Sequence, residues 1–174
     1  NQKAGRGQRE RNWFSKPGHG LTCSFLIDNR FEYSGILSIL IPIGIVNGFK
    51  KLLNIDLEIK WPNDIYHGKK KLGGILIESK NIAGTLYFVI GIGVNVNEGL
   101  DDFPKELNDL ATSIKIITGS PIQRELLLAH ILNSIDELIH TLDLDSLVET
   151  YSDKCINMNK PVTINYNNRS ECGT

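Results

Sequence analysis

Between Leu57 and Glu78, hydrophobic and polar residues alternate, break off and resume, and that rhythm predicts the central hairpin of the chain. Leu57-Glu58-Ile59-Lys60-Trp61 has the period of two of a half-buried strand. Pro62-Asn63-Asp64 ends it, because proline cannot donate to a ladder and Asn and Asp satisfy their own local backbone. Ile65-Tyr66 resumes, His67-Gly68-Lys69-Lys70 turns, and residues 71–78, KLGGILIE, run back. Residues 21–27 predict an earlier strand. Residues 36–53 predict a largely apolar helix with Lys50 and Lys51 in its last turn, near the negative end of its dipole. Its start is placed near Ile39, so that Pro42 falls within or just inside the first turn. Residues 86–97, LYFVIGIGVNVN, predict a buried strand broken by Gly91 and Gly93, which lie two apart and so share a face. A short helix is expected at residues 105–110. An amphipathic one is expected at 121–142, capped by Ser120, with Pro121 first and Ile122, Leu126, Ala129, Leu132 and Ile135 at helical spacing. Residues 145–156 predict a further helix, and 161–166 a strand with no visible partner.

Composition changes this picture little. The chain has 174 residues, 41% hydrophobic and 22% charged, which suits one globular domain. A net charge of −1 argues against nucleic-acid binding through a general field. Cys23, Cys155 and Cys172 have no metal-ligand spacing, and with no signal-peptide pattern they suggest a reducing, cytoplasmic setting. No apolar run reaches membrane-spanning length uninterrupted. The chain opens on Asn1 and stops just after a strand, so a fragment truncated at both ends is expected.

Three places hold candidate chemistry. Gly5 and Gly7 flank Arg6, with Arg9 and Arg11 following; glycines let backbone wrap a ligand and arginines fork onto carboxylate or phosphate. Trp61, Asn63 and Asp64 gather at a strand end, and Lys71 enters an apolar strand beside Gly73 and Gly74, which weaken it unless something approaches closely. Gly91 and Gly93 form a flat floor. Each has a plainer account when taken alone: a basic tail, a decorated hairpin with a lysine-rich loop, and a twist or bulge. His130 and His140 are read as structural or solvated.

In this order, GRGQRERNW, KWPNDIYHGKKKLGGILIE and GIGVNVN resemble the catalytic domain of biotin protein ligases, also called biotin–[acetyl-CoA-carboxylase] ligases. The resemblance covers nearly the whole chain, the final KPVTI included. It implies an α+β fold, a mixed β-sheet packed with helices, related to lipoate ligases and class II tRNA synthetase catalytic domains. It also implies a catalytic domain over residues 1–158 and the start of a small C-terminal β-domain at 159–174. The implied activity is ATP-dependent activation of biotin as biotinoyl-AMP, with Mg2+, then transfer to a lysine of a biotin carboxyl carrier protein. Gln2 matches a glutamine that contacts biotin, and Arg6, Gly7 and Gln8 match the loop over biotin and its adenylate. Lys71 matches the lysine at the reacting carboxylate and α-phosphate, with Arg6 as the second catalytic charge. Gly74, Gly91 and Gly93 match glycines along the biotin slot. Arg9, Arg11, Trp13, Asn63 and Asn95 match ATP-binding positions, and Asp64 a magnesium contact. Gln8 and Glu10 depart from the family, which most often has arginine and glycine there. The resemblance admits a homodimer and implies neither nucleic-acid nor membrane contact within these residues. Other readings are a lipoate or octanoate ligase of the same fold, a non-catalytic biotin-binding or repressor module, and a ligand-free structural domain.

Overall fold

The computed structural model describes residues 5–7, 12–28, 34–166 and 169–173. Its centre is a five-stranded sheet of β3 (Leu21–Asp28), β4 (Glu58–Lys60), β5 (Asp64–His67), β6 (Lys70–Ile82) and β7 (Thr85–Val94). The spatial order is β3-β7-β6-β5-β4, and every neighbouring pair is antiparallel. The mixed character expected of the sheet is confined to two isolated parallel bridges, Ile59 to Cys155 and Lys71 to Ala111. A separate two-pair ladder joins β1 (Gly5–Arg6) to β2 (Asn12–Trp13).

One face of the sheet is the core. Phe88, Ile90, Ile92 and Val94 alternate along β7 as buried residues, against α1 (Leu37–Leu53). That helix is apolar almost all round, as a buried helix must be. It begins at Leu37 rather than near Ile39, so Pro42 lies in its second turn and removes the bond to the Ser38 carbonyl. An interior proline costs about 3 kcal/mol. Burying a Leu or Ile side chain is worth about 1.5–3 kcal/mol, and Leu37, Leu40, Ile41, Ile43 and Ile45 are all at most 1% exposed. Packing therefore overrides the local rule.

α3 (Arg124–His140) crosses α1 almost backbone to backbone. A Cβ at Gly48 would lie 2.7 Å from Ile131 Cα, and one at Gly44 would lie 2.5 Å from Ile135 Cγ1. Gly48→Ala should therefore destabilise the fold by about 2 kcal/mol through overpacking, although alanine gains about 1 kcal/mol of helix propensity. A urea midpoint equal to wild type would show that the helices separate freely.

The remaining helices differ from the sequence reading in specific ways. α3 starts at Arg124, without a side-chain cap, instead of at Pro121 after a Ser120 cap. The reason is Asn97: its Oδ1 accepts from Ile122 N and its Nδ2 donates to Ile122 O, both at 2.9 Å, pinning the segment before the helix. The residue pattern also gave no sign of α2 (Ile114–Thr118), capped by Ser113 Oγ accepting from Ile116 N. Residues 105–110 hold only a 3-10 turn, Lys105–Leu107. α4 (Leu144–Lys154) is capped by Asp143. The strand expected to be unpaired, β8 (Val162–Tyr166), pairs antiparallel with β9 (Arg169–Gly173), whose polar Ser170-Glu171-Cys172 run hides a strand from pattern reading. No helix among the described residues is long and apolar enough to cross a membrane.

Glu98, just beyond β7, is fully buried; Oε2 accepts from Val96 N at 2.8 Å, and Oε1 has no partner among the described residues. Burial pushes its carboxyl above the ordinary glutamate value. With the folded value raised, its stabilising contribution is complete below the ordinary glutamate range and is lost as pH rises through the raised value. Glu98→Gln keeps an acceptor for Val96 and should flatten this dependence. Urea midpoints compared at about pH 5 and about pH 8 test this; an unchanged slope would exclude Glu98 as its source.

Candidate active site

The other face of the sheet is nearly bare at its centre. Register places Gly93 between Thr22 and Gly74, Gly91 between Ser24 and Leu76, and Val89 between Leu26 and Glu78. Since alternate strand residues share a face, these nine positions form a floor two glycines wide, with hydroxyls on one side and Leu76 on the other. The cleft above it has a volume of about 830 Å³. Arg6, Gly7, Trp13, Asn63, Asp64, Lys71, Gly74, Gly91 and Gly93 all line it.

Lys71 reaches the cleft because of a bulge. Tyr66 pairs with Lys71 but Ile65 pairs with Gly73, so Leu72 is the extra residue on β6. Bulges re-aim side chains. Here Leu72 is fully buried while Lys71 turns to the side of Gly74, where a Cβ would lie 3.4 Å from its Nζ. Its backbone is fixed as well: Lys71 N donates to Leu110 O at 2.8 Å, and Thr112 N donates to Lys71 O at 2.9 Å. The ammonium donates to Asp64 Oδ1 at 2.5 Å and stands 5.7 Å from the centre of the Trp13 ring. Asn63 braces the same corner, its Nδ2 donating to Ile75 O and its own carbonyl accepting from Ile75 N.

Two glycines read alike from sequence play different parts. A Cβ on Gly93 would lie 2.6 Å from Trp13 Cε2, so the indole itself rests on Gly93. A Cβ on Gly91 would meet nothing nearer than Leu76 O at 3.5 Å, and that floor is open. Asn95 is not brought to the cleft: it is buried, with Nδ2 donating to Thr112 O at 3.0 Å, because the chain leaves β7 after Val94. Gln2, Gln8, Arg9 and Arg11 lie outside the described residues. The sequence reading missed Thr22, Ser24, Leu76 and Glu78, although Leu76 and Glu78 follow Gly74 at steps of two and so must share its face. A glycine-floored trough with Leu76 and Val89 on its floor and Arg6, Lys60 and Lys71 on its walls suits a ligand with an aliphatic body and an anionic head. It also suits the joining of two anions.

A sequence profile described as the Biotin/lipoate A/B protein ligase family matches residues 1–95. The chain belongs to that family. Among its relatives, the bifunctional ligase/repressor BirA of Bacillus subtilis is 40% identical over 134 residues, 75% of this chain and 41% of its own length. The human biotin–protein ligase is 27% identical over 149 residues, 79% of this chain and 20% of its own. This family member thus spans less than half the length of either. A biotin protein ligase from Aquifex aeolicus, solved in complex with biotin and ATP, superposes with a TM-score of 0.85 at 29% identity, covering 99% of this chain and 72% of that one.

Proposed function

We propose that this chain is the catalytic part of an ATP-dependent biotin–protein ligase, acting through biotinoyl-AMP on a lysine of a biotin carboxyl carrier protein. The observation that carries the reading is a glycine-floored trough lined by both Lys71 and Arg6. The likeness to a structure holding biotin and ATP supports it. In the first step the biotin carboxylate attacks the α-phosphorus of ATP and pyrophosphate leaves. Lys71 screens the two anions where they meet and stabilises charge at the transition state, and Arg6 supplies the second positive charge over the bound adenylate. In the second step the carrier lysine amine attacks the acyl carbon and AMP leaves, with Lys71 again a fixed charge. Gln2, Gly7, Gln8, Gly74, Gly91 and Gly93 are assigned to biotin, and Arg9, Arg11, Trp13 and Asn63 to the nucleotide.

Asp64 fits a magnesium ion that takes most of its ligands from water and phosphate, which needs only one or two carboxylates. No group of three or more metal-binding side chains occurs among the described residues. When bound, the ion neutralises phosphate charge. Residues 1–158 form the catalytic domain in this reading. In this reading the small β-domain starts at residue 159 and takes in the β8–β9 hairpin, which forms a sheet of its own. Three free cysteines agree with a cytoplasmic setting. The test is pyrophosphate release from ATP by the full-length protein with biotin, lipoate or octanoate. Biotin should be preferred, and a preference for octanoate or lipoate would overturn the assignment.

A further inference from the structure

Glu78 is an odd residue to find in a cleft that would assemble two anions. It sits opposite Val89, on the same face as Gly74 and Leu76, and lines the trough. A carboxylate there opposes a ligand carboxylate and phosphates. Its Oε2, however, lies 3.7 Å from Nη2 of Arg6 on β1. We propose that Glu78 is a positioning residue for Arg6, holding the guanidinium and the β1–β2 ladder across the trough while an adenylate is bound. This inference rests on the biotin ligase reading.

The geometry gives the ladder two anchors. Trp13 rests on Gly93 at one end, and Arg6 meets Glu78 at the other. Gly93 pairs with Gly74, and Glu78 lies four residues along β6, so the anchors stand roughly 13 Å apart at about 3.3 Å per residue. Leu76 and Gly91 lie open between them. A ladder of two residue pairs does not hold its own shape, so its position over the trough depends on what it touches. Arginine has five donors and can keep Glu78 while it binds an anion. The pair is largely exposed, 72% for Arg6 and 51% for Glu78, which limits the expected effect to about fivefold.

The experiment follows release of labelled biotinoyl-AMP from the full-length protein, chased with unlabelled biotin in the absence of carrier. Glu78→Gln should speed release about fivefold, Glu78→Asp less, and high salt should erase the difference. In an Arg6→Ala background Glu78→Gln should add nothing. Unchanged release, or the same fold-change in both backgrounds, would overturn the proposal and leave Glu78 a surface charge. Failure of the wild type to form the adenylate at all would instead count against the ligase reading. Positioning is then read without ligand from the ¹⁹F resonance of 5-fluorotryptophan at position 13, assigned with Trp13→Phe. Glu78→Gln should move that line towards its solvent-exposed position, and an unmoved line overturns the proposal.

Discussion

Lys71→Ala should lower adenylate formation by about 100-fold or more while leaving biotin binding measurable, the scale seen when one preorganised charge at a transition state is removed. The structure says why this lysine is preorganised. Its backbone is held on both sides by Leu110 and Thr112, and the bulge at Leu72 aims it into the cleft. Asp64 then fixes the ammonium at 2.5 Å. Truncation removes the cation and also leaves the Asp64 carboxylate without it, where the proposed reaction brings a second carboxylate and a phosphate. Both effects act against the step that joins two anions. Lys71→Arg should not rescue, because a planar, delocalised guanidinium does not present the compact point charge of the ammonium that meets Asp64. Single-turnover pyrophosphate release is the measurement. Near-normal turnover in Lys71→Ala would remove Lys71 from the chemistry.

What could be read from the residues alone was whatever repeats locally. Alternation along residues 57–78 and the two-residue spacing of Gly91 and Gly93 are properties of one strand, so hairpin and floor were legible. The failures are contacts across the chain. Asn97 holds Ile122 from 25 positions away and delays α3, which no capping pattern at Ser120 reveals. Register decides that Gly93 meets Trp13 while Gly91 stays open, though the two glycines read alike. Asn95 belongs to a motif whose glycines face the cleft, yet it lies beyond the end of β7 and spends its amide on Thr112. Arg6 and Glu78 are 72 positions apart, and only the fold makes them neighbours.

Gly93→Val should abolish cleft function through Trp13 rather than by direct collision with the ligand. Gly93 lies in β7, the second strand of the sheet, and pairs with Thr22 on one side and Gly74 on the other, so its backbone cannot retreat. A Cβ there would sit 2.6–2.9 Å from three atoms of the indole, a separation that no relaxed contact has. The indole is therefore what moves. With it go the cover over the trough and the ring beside the Lys71 ammonium, a contact worth about 0.5–2 kcal/mol by itself. With the indole off the trough and the ammonium no longer braced by the ring, biotin affinity should fall about tenfold, which is about 1.4 kcal/mol. The two explanations part in a Trp13→Ala background. If valine acts by displacing the indole, adding Gly93→Val to Trp13→Ala should change biotin affinity little; if valine meets the ligand, the full loss should return. Calorimetry with biotin, paired with a melting curve for each variant, decides between them. Normal binding by a folded Gly93→Val protein would show that neither the indole nor the glycine shapes the trough.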